Sequence, residues 1–133
     1  MFRWRKKKSE PPELPPQTDD APPDEVEKLL RIKHLCLLAW MSADNIAGLS
    51  DEQLKDEDNR YERDRYDKLL LEATNLAREI TDVFYRDAAL HQLIKPLMTA
   101  GDEIQAKKLF SIIEVDIIQD AVLKEFPRLG AKF

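Results

Sequence analysis

Apolar residues recur at helical spacing through most of this chain, and no stretch alternates in the way of a half-buried strand. The most regular run is Tyr66, Leu69, Leu70, Ala73, Leu76, Ala77 and Ile80, one face of an amphipathic helix. Upstream, residues 24–47 carry a wide apolar stripe. Val26, Leu29, Leu30, Leu37, Leu38 and Met41 lie near one face, and Ile32, Leu35 and Trp40 widen it. A stripe this wide predicts a helix packed on more than one side. It starts behind Pro22-Pro23, with Asp24 and Glu27 as a capping pair, and stops at Gly48. Ser50 with Gln53, and Leu49 with Leu54 at the staple positions, mark the next start. Residues 51–68 then carry eight acids and five bases, including Asp51–Lys55, Asp56–Arg60 and Asp64–Lys68, each four apart with the acid first. A break is expected near Asp58-Asn59. Three shorter helices follow at about 83–98, 102–114 and 117–127. Gly101-Asp102 separates two of them, Pro96 bends the first, and Pro127 ends the last. The prediction is an all-α fold of about five helices.

The pattern also repeats. Tyr85-Arg86-Asp87-Ala88-Ala89-Leu90 returns 33 residues later as Ile118-Gln119-Asp120-Ala121-Val122-Leu123, and Ala73, Leu76 and Ile80 return as Ala106, Leu109 and Ile113. A period of this length is the mark of stacked supersecondary units that cannot bury their apolar faces alone. The folded part is therefore expected to be a short helical-hairpin array, with repeat units in residues 66–127, or a small helical bundle.

The segment from Leu90 to Phe110 resembles a tetratricopeptide-type hairpin. Leu90, Leu93 and Leu97 match the large apolar positions of the first helix, Gly101-Asp102 the turn, and Ala106 and Phe110 the small and aromatic positions of the second. The match covers about 60 residues around one complete hairpin. The period of 33 is one short of that family's usual spacing, Pro96 interrupts the first helix, and Ile113 stands where a smaller residue is usual. What the resemblance implies is a surface that holds another protein.

Composition divides the chain in two. Residues 1–23 hold six of the eight prolines and, apart from Phe2, Trp4 and Leu14, little that could pack, so a disordered tail is expected there. Residues 24–133 form the helical domain. The first eight residues carry a charge of +5, whereas the domain is near −6. An acidic body repels phosphates, which makes nucleic acid an unlikely partner for it. The single cysteine, Cys36, lies in an apolar run and reads as a small buried hydrophobe. The basic, proline-rich start is unlike a secretory signal, and no apolar run reaches membrane-spanning length, so a cytoplasmic protein is expected.

Candidate chemistry is sparse. Arg86 and His91 resemble the arginine–histidine ribonuclease motif of HEPN-type proteins, which would make His91 a general acid or base and Arg86 a phosphate clamp. Against this, five positions on a helix place the two roughly 140° apart, and their counterparts in the echo are Gln119 and Lys124. No zinc spacing, calcium loop, phosphate loop or dinucleotide fingerprint occurs, and no metal or cofactor is expected. The tip Phe2, Arg3, Trp4, Arg5, Lys6, Lys7 and Lys8 suits an anionic membrane surface or phosphates. The leading expectation is a non-enzymatic adaptor, scaffold or small chaperone that binds a partner helix or extended segment, or a second copy of itself. Trp40, Tyr61, Tyr66, Phe84, Arg86 and His91 are its candidate contact residues. Peripheral membrane association through the tip is the alternative, and a HEPN-like ribonuclease the lesser one.

Overall fold

The computed structural model of the chain describes residues 23–130. Residues 1–22, which include the tip from Phe2 to Lys8 and almost all of the expected tail, lie outside the described residues, as do 131–133. Among the described residues the protein is all-α, with five helices and no strand. They are α1 (Pro23–Ile46), α2 (Glu57–Arg78), α3 (Val83–Ala100), α4 (Glu103–Ser111) and α5 (Asp116–Glu125). Short 3-10 turns occupy Gln53–Lys55 and Pro127–Gly130.

The helix starts refine the sequence expectations. α1 begins at Pro23, a residue suited to the first turn because the amide hydrogen it lacks would have no helical acceptor. Asp24 therefore sits inside that turn and pairs with Lys28 at 3.6 Å. Ser50 and Gln53 do cap each other: Ser50 Oγ accepts from Gln53 N at 3.2 Å and Gln53 Oε1 from Ser50 N at 2.9 Å. That pair opens only the 3-10 turn. The long helix α2 starts behind Asp56, which is extended and whose carboxylate accepts from Asp58 N at 3.0 Å. Because the break falls here, Asp51–Lys55 and Asp56–Arg60 do not share one regular helix. Lys55 pairs instead with Glu52 at 3.5 Å, and Arg63 with Asp67 at 3.4 Å. α3 runs unbroken through Pro96, and α5 stops two residues before Pro127.

Packing follows one rule used twice. α1 lies against α2 and α3, and α3 in turn lies against α4 and α5. Small residues at the crossings let the helices approach: Ala39, Ala43, Ala73, Ala89 and Ala106 are all fully buried. Ile32, Leu35, Leu93, Ile94, Leu97 and Val122 fill the space between them. Cys36 is buried with them, and desolvation pushes its thiol up to about 12. The buried side of α1 is not the one the apolar stripe suggested. Ile32, Leu35, Cys36, Ala39 and Ala43 face inward, while Leu30, Leu37 and Met41 face out. A helix apolar on nearly every side has no periodicity to select its inner face; the small residues that permit close approach select it.

Two carboxylates fasten the hairpins together. Glu25 of α1 accepts from the backbone N of Thr81 and of Asp82, both at 2.8 Å, and from Thr81 Oγ1 at 3.0 Å. Asp87 of α3 accepts from the backbone N of Glu114 and of Val115, again both at 2.8 Å. Thr81-Asp82 and Glu114-Val115 are 33 residues apart, and each pair directly precedes a helix, α3 in one case and α5 in the other. Glu25 and Asp87 thus play one role in two successive units. The spacing of apolar residues behind them agrees: Ile32 and Leu35 follow Glu25 as Ile94 and Leu97 follow Asp87. The joint gives each buried carboxylate two backbone donors, without which its burial would be costly.

Candidate functional site

Three of the six candidate residues in the described region are held by the fold. Tyr66 is 1 % exposed, and its hydroxyl donates to Asp102 Oδ2 at 2.9 Å, tying α2 to the turn between α3 and α4. Burial and the neighbouring Asp102 carboxylate push the phenol up from its ordinary value. Its aromatic ring belongs to the interior and offers nothing to a partner. Arg86 donates to Asp87 Oδ1 through Nε at 3.1 Å and through Nη2 at 2.8 Å, and reaches Glu114 Oε2 at 3.3 Å. It completes the second carboxylate joint. His91 Nε2 lies 3.0 Å from Glu125 Oε1, linking α3 to α5. Arg86 and His91 therefore have separate partners, and no contact joins them. The remaining candidates, Trp40, Tyr61 and Phe84, present their rings at the surface to different degrees. Tyr61 is 67 % exposed on α2, and Phe84 is half exposed at the start of α3, edge-to-face with Tyr85 at 5.9 Å.

Trp40 has the most informative surroundings. It is half-buried on α1, with Lys95 Nζ of α3 5.4 Å from its ring centre, a cation–π contact. Together they border a cleft between α1 and α3, with Lys33, Leu37 and Gln92 on its walls and Cys36 and Pro96 also lining it. Pro96 has no amide hydrogen, so the Gln92 carbonyl lacks its usual helical donor. The cleft holds only about 80 Å³. That is far below the ~300–1,000 Å³ of a small-molecule pocket, and fits one inserted side chain.

Beside the cleft runs a ridge that the sequence had assigned to the core. Leu30, Leu37 and Met41 on α1 are 55, 54 and 47 % exposed. With the exposed His34 they follow a 4-3-4 spacing, which places all four on one face of the helix. On the far side of the ridge is a groove along α2 bordered by Tyr61, Asp64, Arg65, Lys68 and Glu72. Arg31 reaches Glu72 across this boundary at 3.0 Å, and Arg65 donates to the buried Ser42 of α1 at 3.0 Å. The face therefore consists of an apolar ridge with a depression on either side. Lys33 and Lys95 lie on the α3 side and Arg31 and Lys68 on the α2 side.

Among the described residues, no helix is long and apolar enough to cross a membrane, and no group of three or more His, Cys, Asp or Glu converges as a metal site would require. Compared with protein-family models, curated proteins and solved structures, the chain matches none.

Proposed function

We propose that this chain is a non-enzymatic docking module, an adaptor or small chaperone of tetratricopeptide-like build working in the cytoplasm, which holds another protein on the α1–α3 face. The observation that carries the reading is the apolar ridge of Leu30, Leu37 and Met41 running beside the Trp40 cleft. Scattered exposed leucines are ordinary on a protein surface, but three large apolar side chains on one helix face, spaced only by His34 and lying beside a cleft, are characteristic of an interaction site. The line follows helical repeat spacing, and the neighbouring cleft is sized for one anchoring side chain. These side chains are only about half exposed, so covering each contributes half of the ~1.5–3 kcal/mol of a full burial, and the cleft anchor must add to them before the costs of association are met. The twofold use of a carboxylate joint supports the repeat character, since solenoid-like stacks expose one face of their first helices along the array.

The experiment is co-purification from the native lysate with the full chain, with the chain lacking residues 1–20, and with Leu37→Glu in the full chain. One protein held at stoichiometric yield by the first two and lost from the third is the expected result. Retention that is indifferent to Leu37→Glu, or that depends on residues 1–20 alone, overturns it. Circular dichroism checks that the variant keeps its helices, as an exposed position should.

A further inference from the structure

We infer that the occupant of this face is an amphipathic helix of a different protein, with acidic residues beside the centre of its apolar seam and basic residues toward its ends. The inference rests on the docking reading above and adds the chemistry of the partner.

The ridge itself specifies a helix. Leu30, His34, Leu37 and Met41 follow the alternating spacing of four and three that one helix offers another in knobs-into-holes packing. Met41 lies eleven positions along α1 from Leu30, about 16 Å at 1.5 Å per residue, enough for two turns or more of a partner. An extended strand would find no free sheet edge among the described residues, where no strand occurs.

Charge specifies the rest. The centre of the ridge is bordered by Lys33 and Lys95 on one side and Lys68 on the other. Glu27 and Asp44, both exposed, lie near its two ends, and on the α2 side Asp64 and Glu72 stand four residues to either side of Lys68, with Glu72 already paired to Arg31. The chain as a whole carries −5, but charges more than about 8 Å away are largely screened at physiological salt. The local basic border therefore decides which partner is accepted, and the distant acids decide little.

The same pattern disfavours a second copy. In an isologous pair each patch meets itself. An antiparallel α1–α1 contact with Leu30 against Met41 also sets Glu27 against Asp44 of the other copy and brings one basic border toward the other. A heterologous helix with the complementary order of charge meets neither penalty.

The probes are two synthetic three-heptad peptides with the same leucine seam. One carries glutamates beside the centre and lysines at the ends; the other has these charges exchanged. Binding to the full chain is read by fluorescence anisotropy at low and at physiological salt. The acid-centred peptide should bind at least about tenfold tighter, with the difference shrinking as salt rises. Lys33→Glu with Lys95→Glu should reverse the preference, and Leu37→Glu should abolish binding of both peptides, with Met41→Lys as the second seam variant. Equal affinities, a preference for the base-centred peptide, or binding that survives both seam variants overturns the inference. If neither peptide binds but Leu37→Glu still abolishes co-purification, the partner class is overturned and the docking reading stands; if Leu37→Glu abolishes only self-association, the face joins copies of this chain and both are overturned. If neither peptide binds and Leu37→Glu alters neither self-association nor co-purification, both are overturned.

Discussion

Asp87 and Asp120 occupy the same place in the 33-residue echo, yet their side chains meet opposite conditions. Asp87 is fully buried and accepts from two backbone amides and from Arg86, whereas Asp120 is exposed. Removing the Asp87 carboxylate strands Glu114 N and Val115 N and leaves the Arg86 guanidinium without its closest partner. Asp87→Ala should accordingly cost about 2–4 kcal/mol, from two part-buried amides left without acceptors, while the partly exposed Arg86 keeps Glu114. Asp120→Ala should stay within about 0.5 kcal/mol, as a surface change. Urea denaturation of both variants measures the contrast. At this scale the sequence was half legible. The echo set Arg86 and His91 apart as positions that change between its two copies, Gln119 and Lys124 standing in the second. It could not show that Arg86 completes the joint, because the atoms it binds belong to Glu114 and to the residue beside it in the chain, Asp87. Tyr66 was legible as part of a helical face but not as interior, because an aromatic ring with a hydroxyl suits either a core with a polar partner or an interface.

At the scale of elements, helix identity was legible almost throughout and helix ends less so. Gly101 illustrates a readable end. It takes φ +86, with Gly101 N bonded to Met98 O at 3.2 Å and Asp102 N to Leu97 O at 2.8 Å, the paired bonds of a glycine-terminated helix. An added Cβ would meet nothing within 4 Å. Gly101→Ala therefore isolates the backbone cost of a left-handed residue and should destabilise the protein by about 1–2 kcal/mol, checked by the shift in urea midpoint at constant slope. The start of α2 was less readable. Ser50 and Gln53 form a complete capping pair, and Asp56, six residues later, caps α2 by accepting from Asp58 N. Local propensity cannot choose between adjacent caps when both form. The outcome, a 3-10 turn followed by a fresh helix start, depends on where Tyr66 and Ala73 must sit to pack against α1 and α3.

For the whole molecule, the Glu25 joint couples the stack to pH. Backbone N–H groups of Thr81 and then Asp82 hold the Glu25 carboxyl below its ordinary value of 4.5. A lowered folded-state value means that the unfolded chain binds the proton first as pH falls. The stabilisation from Glu25 is complete above pH 4.5 and is lost as pH drops through the lowered value. Glu25→Gln should therefore melt lower than the wild type near neutrality and show a shallower fall in Tm from about pH 5 downward, followed by calorimetry across that range. The joint was invisible in sequence because Glu25 and Asp87 are different residue types 62 positions apart, and only the amides they hold keep the period of 33. By itself the sequence determined the all-α class, the number of helices and the glycine stops, since each rests on local propensity and on a period within one element. Tertiary structure alone decided which side of α1 is buried. Its apolar residues encircle the helix, and the close approach allowed by Ala39 and Ala43 to neighbouring helices turned Leu30, Leu37 and Met41 outward. The candidate site exists because that choice went to the small residues, a matter of contact distance that no one-dimensional pattern records.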